Sequence, residues 1–189
     1  MATDDQILDG WLAAIERDGW VLARIDSAAV LAEVSPADVA AVYPDRWSAL
    51  RGMQRRLDRA ALGEAGADKD ASIRDRLFGL MMARFDAAED SKPAIRVVAE
   101  AARRDPGLVA FFMVTAPVSI ARIAQAAGVD TGGWLGPLRV KALTILMVQV
   151  SRTWLDDEDP DLGATMKALD AALERAERWG ARFQSGSVA

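Results

Sequence analysis

The sequence contains no cysteine and no histidine. Without cysteine there is neither a disulfide framework nor a thiolate metal site. Without histidine the commonest general base, the Ser-His-Asp arrangement and nearly all transition-metal sites are excluded. No GxGxxG follows a strand, which removes the usual dinucleotide loop, and no nucleophile stands next to a base. Neither catalysis, a cofactor nor a metal is therefore expected. No apolar run approaches the roughly 20 residues needed to span a bilayer. The opening MATDDQ lacks the basic and apolar regions of a signal peptide, so a cytoplasmic location without an integral membrane segment is expected. Positive charge is also missing locally. Between Asp26 and Asp45 there is no Lys or Arg, against four acids: Asp26, Glu33, Asp38 and Asp45.

What is present points to helix. Of 189 residues, 51% are hydrophobic, enough for a sizeable core. Alanine is abundant and β-branched runs are short, so an all-α fold of about nine helices is predicted. Net charge is −5, which argues mildly against a nucleic-acid partner unless basic residues cluster.

Apolar spacing places the first helix over about Asp5–Asp18, with Ile7, Leu8, Trp11, Leu12 and Ile15 on one face and Gly19 at its end. Trp11 and Trp20 read as core. A helix over about Asp45–Leu62 buries Trp47, Leu50, Met53 and Leu57. It also carries Arg46, Arg51, Arg55, Arg56 and Arg59, the one dense basic patch. Gly63–Asp70, small and polar, reads as a linker. It divides the chain into residues 1–62 and a larger part, 63–189. Ser72 and Asp75 form a capping box for a helix to about Ala88. Asp105-Pro106 opens an apolar helix in which Pro117 predicts a kink or a break. Pro137 opens a long helix to about Leu155, striped by Val140, Leu143, Thr144, Met147, Val150, Ser151 and Trp154. The acidic turn Asp156–Asp161 lacks the loop spacing of an EF-hand; it reads as a solvated turn in which Asp159 caps a last helix bearing Leu162, Met166, Leu169, Leu173 and Trp179. The tail from Gln184 reads as frayed. The last two helices form an antiparallel hairpin. Its apolar stripes exceed what one chain can cover, so a homodimer built on a four-helix bundle is expected.

The stretch Ser27–Trp47 divides into two short helices at a tight turn. Ser27 can cap the first, whose apolar positions are Val30, Leu31 and Val34. Ser35 can cap the second, with Pro36 at its first position and Asp38 reaching back to the cap. Val39, Val42 and Tyr43 share a face, and Pro44 ends the helix. Two short helices followed at once by a longer one describe a helix-turn-helix.

Here the chain resembles the TetR/AcrR regulators. The likeness rests on a first helix ending in ERDGW, the two short helices, and the aromatic-Pro-x-basic junction Tyr43-Pro44-Asp45-Arg46. That family usually has aromatic-Pro-Ser-Lys at the junction, Gly where Glu33 stands, and Tyr where Ala40 stands. The resemblance implies a small DNA-binding domain followed by a domain for ligand binding and dimerisation. It implies contact of operator DNA with Ser35, Ala37, Asp38, Tyr43, Arg46 and Arg51. It implies also a small apolar ligand, for which Met81, Phe85, Phe111, Phe112, Met113, Trp134 and Met147 are the candidate lining. The acidic second helix offers no Arg, Lys, Asn or Gln for base reading. A second resemblance, carried by Trp154–Asp157 and Asp159–Asp170, is to a TetR-fold ubiquinone-biosynthesis accessory family that holds an isoprenoid lipid. It implies a helix-turn-helix that has lost DNA binding.

Overall fold

The structure is a computed structural model, and it describes residues 3–63 and 70–185, with side chains to residue 178. Residues 64–69 of the expected linker, the last residues of the tail and the side chain of Trp179 lie outside the described residues. Among those described there are nine α-helices, one short 3-10 turn and no strand. The helices are α1 (Asp4–Asp18), α2 (Ile25–Ala32), α3 (Pro36–Val42), α4 (Arg46–Gly63), α5 (Ile73–Asp86), α6 (Lys92–Ala101), α7 (Pro106–Ala126), α8 (Gly136–Asp156) and α9 (Gly163–Ser185).

The chain forms two compact units. The first comprises Met1–Arg59 and Ala88–Thr115, the second Ala60–Ala87 and Ala116–Ala189. In the first, α1 lies against α2, α3 and α6. Its core holds Ile7, Leu8, Trp11, Ile15, Trp20, Val39 and Leu50. Gly10 is what lets α1 and α2 meet so closely: a Cβ there would stand 2.5 Å from the Ala28 carbonyl oxygen and 2.6 Å from the Ala32 Cβ. In the second unit, α9 packs on α5 and α8. Its core includes Leu77, Leu80, Met81, Phe85, Leu146, Val150, Trp154 and Leu169.

The local signals act where the sequence places them. Ser72 Oγ accepts from the Asp75 amide at 3.1 Å and donates to Asp75 Oδ2 at 2.7 Å. Asp105 Oδ1 accepts from the amides of Gly107 and Leu108 and so caps α7. Three expectations differ. First, of the kink or break expected at Pro117 the break does not occur: α7 runs unbroken through that residue. Being continuous, it is long and apolar enough to cross a membrane by length and composition, with a mean hydropathy of 1.8. That corrects the expectation that no apolar stretch approaches this length, since a break at Pro117 would have divided it. Leu108, Ile120, Ile123 and Ala124 of α7 are buried within the protein. Second, α2 begins at Ile25, so Ser27 lies inside it. The shift turns Ala28, Ala29 and Ala32 inward and leaves Val30 72% exposed. Third, α9 begins at Gly163 rather than at Asp159. Its start is held by Asp157, which is buried and accepts from both the amide and the hydroxyl of Thr165 at 2.7 Å.

Candidate functional site

The helix-turn-helix is complete in its backbone. At the end of α2, the Val34 amide donates to the Ala29 carbonyl and the Glu33 amide to the Val30 carbonyl, a Schellman arrangement. Glu33 occupies the left-handed position, with φ +56°, and the Gln6 amide Nε2 donates to the Ala32 carbonyl at 2.8 Å. α3 then starts as its sequence directs. Ser35 Oγ accepts from the Asp38 amide at 3.1 Å and donates to Asp38 Oδ2 at 2.6 Å. Both side chains are thus engaged in the cap, although both stay exposed.

The remaining surface of α3 is Pro36, Ala37, Ala40 and Ala41, all exposed. These side chains offer a partner methyl groups and no hydrogen bond. Tyr43 is different. It is 7% exposed, and its ring lies where a Cβ on Gly52 would approach within 2.5 Å. Its carbonyl accepts from Trp11 Nε1 at 3.1 Å. The tyrosine packs α3 onto α4 and ties it to α1; its ring does not face outward.

At the start of α4, Asp45 Oδ1 accepts from the Ser48 amide at 2.7 Å, and the Asp45 amide donates to Ser48 Oγ. Arg46 turns back into its own unit. Its Nη1 donates to the Val21 carbonyl at 3.0 Å, and its guanidinium lies 5.0 Å from the centre of the Trp20 ring. Arg56 pairs with Asp9 and donates from Nη2 to Ser91 Oγ at 3.0 Å. Arg51, Arg55 and Arg59 are exposed, with Arg51 6.0 Å from the Phe111 ring centre. Arg24, which precedes α2, is exposed as well. The basic patch seen in the sequence therefore splits: Arg46 and Arg56 hold the unit together, while Arg51, Arg55 and Arg59 face solvent.

The candidate ligand residues divide between the units. In the first unit Phe111 and Phe112 are half-buried, their rings 5.3 Å apart. Phe111 lies 5.5 Å from Trp47, which in turn packs edge-on to Trp20 at 4.8 Å. Trp20 Nε1 donates to Asp105 Oδ2 at 3.1 Å. Met113 is exposed. In the second unit Met81, Phe85 and Met147 are buried, with Phe85 5.6 Å from Trp154. Trp134, in the connection between α7 and α8, is 86% exposed. Sequence reasoning put Trp20 and Trp47 in the core, but it missed the Trp20–Trp47–Phe111 stack and the Arg46 guanidinium over it. Nothing in a linear pattern signals a stack whose members lie so far apart along the chain.

Comparison with known proteins places this arrangement. The fold is that of TetR-family transcriptional regulators. It is similar to the TetR transcriptional regulator of Nitrosomonas europaea ATCC 19718, with a TM-score of 0.75, 18% identity, and coverage of 92% of this chain and 97% of that one. It is also similar to a bacterial regulatory protein in the TetR family from Rhodococcus RHA1. There the TM-score is 0.52 with 21% identity, over 90% of this chain and 95% of the other. A transcriptional regulator from Rhodococcus sp. RHA1 gives a TM-score of 0.57 at 17% identity, over 92% and 95% of the two chains. No protein-family model and no curated protein matches the sequence.

Proposed function

We propose that the protein is a TetR-like transcriptional regulator, cytoplasmic and without catalytic activity. It works as a homodimer whose helix-turn-helix units meet operator DNA and whose larger C-terminal domain takes a small apolar ligand. The observation that carries this reading is the intact helix-turn-helix, capped at both short helices and locked by Tyr43, within a chain of TetR fold. Residues 1–62 are the DNA-facing domain and 63–189 the domain for ligand and dimer.

The dimer reading is supported by α8. Leu143, Met147, Val150 and Trp154 are buried inside the chain, so they serve its own core. Leu138, Ile145 and Val148 are about half exposed and, with Ala142, line another side of the helix. An apolar strip left bare on a long helix suits burial against a second copy. For the ligand, Met81, Phe85 and Met147, on the same unit as Pro117, are the candidate lining.

DNA contact in this reading rests on phosphate pairing by Arg51, Arg55 and Arg24, because α3 offers bases only methyl contact with thymine and at most one cytosine contact from Asp38. Binding is then weak in sequence preference. The test is a titration of the purified protein with duplex from upstream of its own gene and with a scrambled duplex. Binding to both within about tenfold supports the reading. Absence of binding to either duplex refutes it and favours the second reading, a TetR-fold lipid- or isoprenoid-binding accessory protein. The observation favouring that alternative is the same bare α3, with Arg46 folded inward.

A further inference from the structure

We propose that the outer side of α7, at its N-terminal end, docks on an anionic lipid surface, with the helix lying along the membrane and not crossing it. Helix α7 has the length and apolarity of a membrane span, yet only 28% of its apolar stretch is buried inside the protein. A helix that served the core alone would be mostly covered. Its inner side is held: Leu108 is buried, and the Phe111 ring lies 5.5 Å from Trp47. Its outer side is bare. Val109, Met113 and Val114 are 48%, 72% and 70% exposed, and Ala110 is exposed between them. Residues three and four apart are neighbours on a helix surface, so these four form one continuous apolar strip. Cations border it. Arg103 and Arg104, in the turn that leads into α7, are exposed, and the exposed Arg51 lies 6.0 Å from the Phe111 ring centre. Asp105 is the one acid between Glu100 and Asp130, and it is turned inward, with Oδ1 capping α7 and Oδ2 accepting from Trp20 Nε1. This end of α7 is therefore positive in a chain of net charge −5. Large apolar side chains beside arginines match an anionic leaflet: the side chains enter the acyl boundary and the guanidinium groups meet lipid phosphates. A second copy of the chain fits less well. From Val109 to Val114 the strip is about 8 Å long, small beside the roughly 800 Å² that each partner of a stable pair covers. A second α7 also brings no acid to Arg103 and Arg104. Because the inner side is committed to Trp47 and the core, the helix lies flat. This inference does not depend on the regulator reading, since the strip and both flanking arginines lie outside the helix-turn-helix.

The test is co-sedimentation of the full-length protein with two kinds of vesicle, phosphatidylcholine alone and an equimolar mixture of phosphatidylcholine and phosphatidylglycerol. The protein is expected to partition onto the mixed vesicles and at least tenfold more weakly onto phosphatidylcholine alone. Met113→Asp with Val114→Asp, both at exposed positions, should weaken partitioning at least tenfold with an unchanged melting temperature. Arg103→Gln with Arg104→Gln should weaken it to a similar degree on the mixed vesicles only. Because the chain has no cysteine, a polarity-sensitive dye can be placed at Met113→Cys and, as a control, at Val30→Cys. The emission of the first should move to the blue on mixed vesicles and that of the second should stay. No partitioning, equal partitioning onto both vesicles, partitioning that survives the aspartates, or a dye response at residue 30 and not at 113 overturns the proposal. So does a lower mass in solution, without lipid, for the aspartate variant, which would give the strip to a second copy of the chain. A duplex is titrated in parallel; its failure to bind counts against the regulator reading and leaves the vesicle result to decide this one.

Discussion

Glu33 holds the left-handed conformation that joins the two short helices, at φ +56°. A residue with a Cβ pays roughly 1 kcal/mol to be there, while glycine is at ease. Its carboxylate makes no contact that the turn needs, since the Schellman bonds run through backbone. Glu33→Gly is therefore expected to raise stability by about 0.5–1 kcal/mol, read as a higher midpoint in chemical denaturation. Asp18, at the end of α1, shows a second residue-scale effect. Hydrogen bonds from Arg17 first and then Ser27 lower its pKa from 3.8 to about 2. A carboxyl depressed on folding contributes stability above its ordinary pKa, and that contribution disappears as pH falls through the lowered value. Asp18→Asn should then be less stable than the wild type at pH 7, and the difference should shrink as pH falls from about 4 towards 2. A difference that stays constant to pH 2 would assign the effect to something other than the charge. Arg46 completes the residue scale. With its guanidinium on Trp20 and on the Val21 carbonyl, Arg46→Ala should cost about 1 kcal/mol of stability and change DNA affinity less than Arg51→Ala does.

At the scale of the element, α1 and α2 are held close by an absence of side chain. Gly10→Ala would gain up to about 1 kcal/mol of helix propensity in α1. Against that, the new Cβ would lie 2.5 Å from a backbone oxygen and 2.6 Å from the Ala32 Cβ, and overpacking typically costs roughly 1–3 kcal/mol. The neighbouring backbone cannot step aside as a flexible side chain can, so the clash wins. A net loss of about 1–2 kcal/mol is expected, seen as a lower thermal midpoint, and a variant at or above wild-type stability would show that the two helices slide apart freely. Element identity was largely legible in the sequence. Caps at Ser35, Ser72 and Asp105, prolines at first positions and apolar spacing all acted locally, and local signals survive translation into structure. The register of α2 was not legible, because Ser27 offers a capping side chain inside a helix that Ile25 and Asp26 already began. Nor was the start of α9, which depends on Asp157 reaching across to Thr165. The candidate site was legible only in outline. The missing cations of α3 could be read directly, but which arginines of α4 face inward depends on Trp20, Asp9 and Ser91, residues distant along the chain.

For the whole molecule, the dimer and the DNA contact are the claims to test. The half-exposed strip of α8 predicts that Ile145→Glu with Val148→Glu lowers the mass in solution from dimer to monomer while the helical circular dichroism persists. The buried Met147 and Leu169 are unsuitable for that purpose, since charge there would break the core of the chain. A mass unchanged by the double variant would remove α8 from the interface.

The central claim is that a helix-turn-helix bare of base-reading side chains works, if on DNA, through a few arginine–phosphate pairs. The most direct measurement is the affinity of the full-length protein for its own upstream duplex across a range of salt concentration, beside the Arg51→Ala, Arg55→Ala double variant. Each phosphate pair contributes about 0.9 to the slope of log affinity against log salt. The account predicts a shallow slope for the wild type and a slope per protomer lower by about 1.8 in the variant, with little difference between the upstream and scrambled duplexes. Tight, sequence-selective binding that the double substitution leaves unchanged would contradict it.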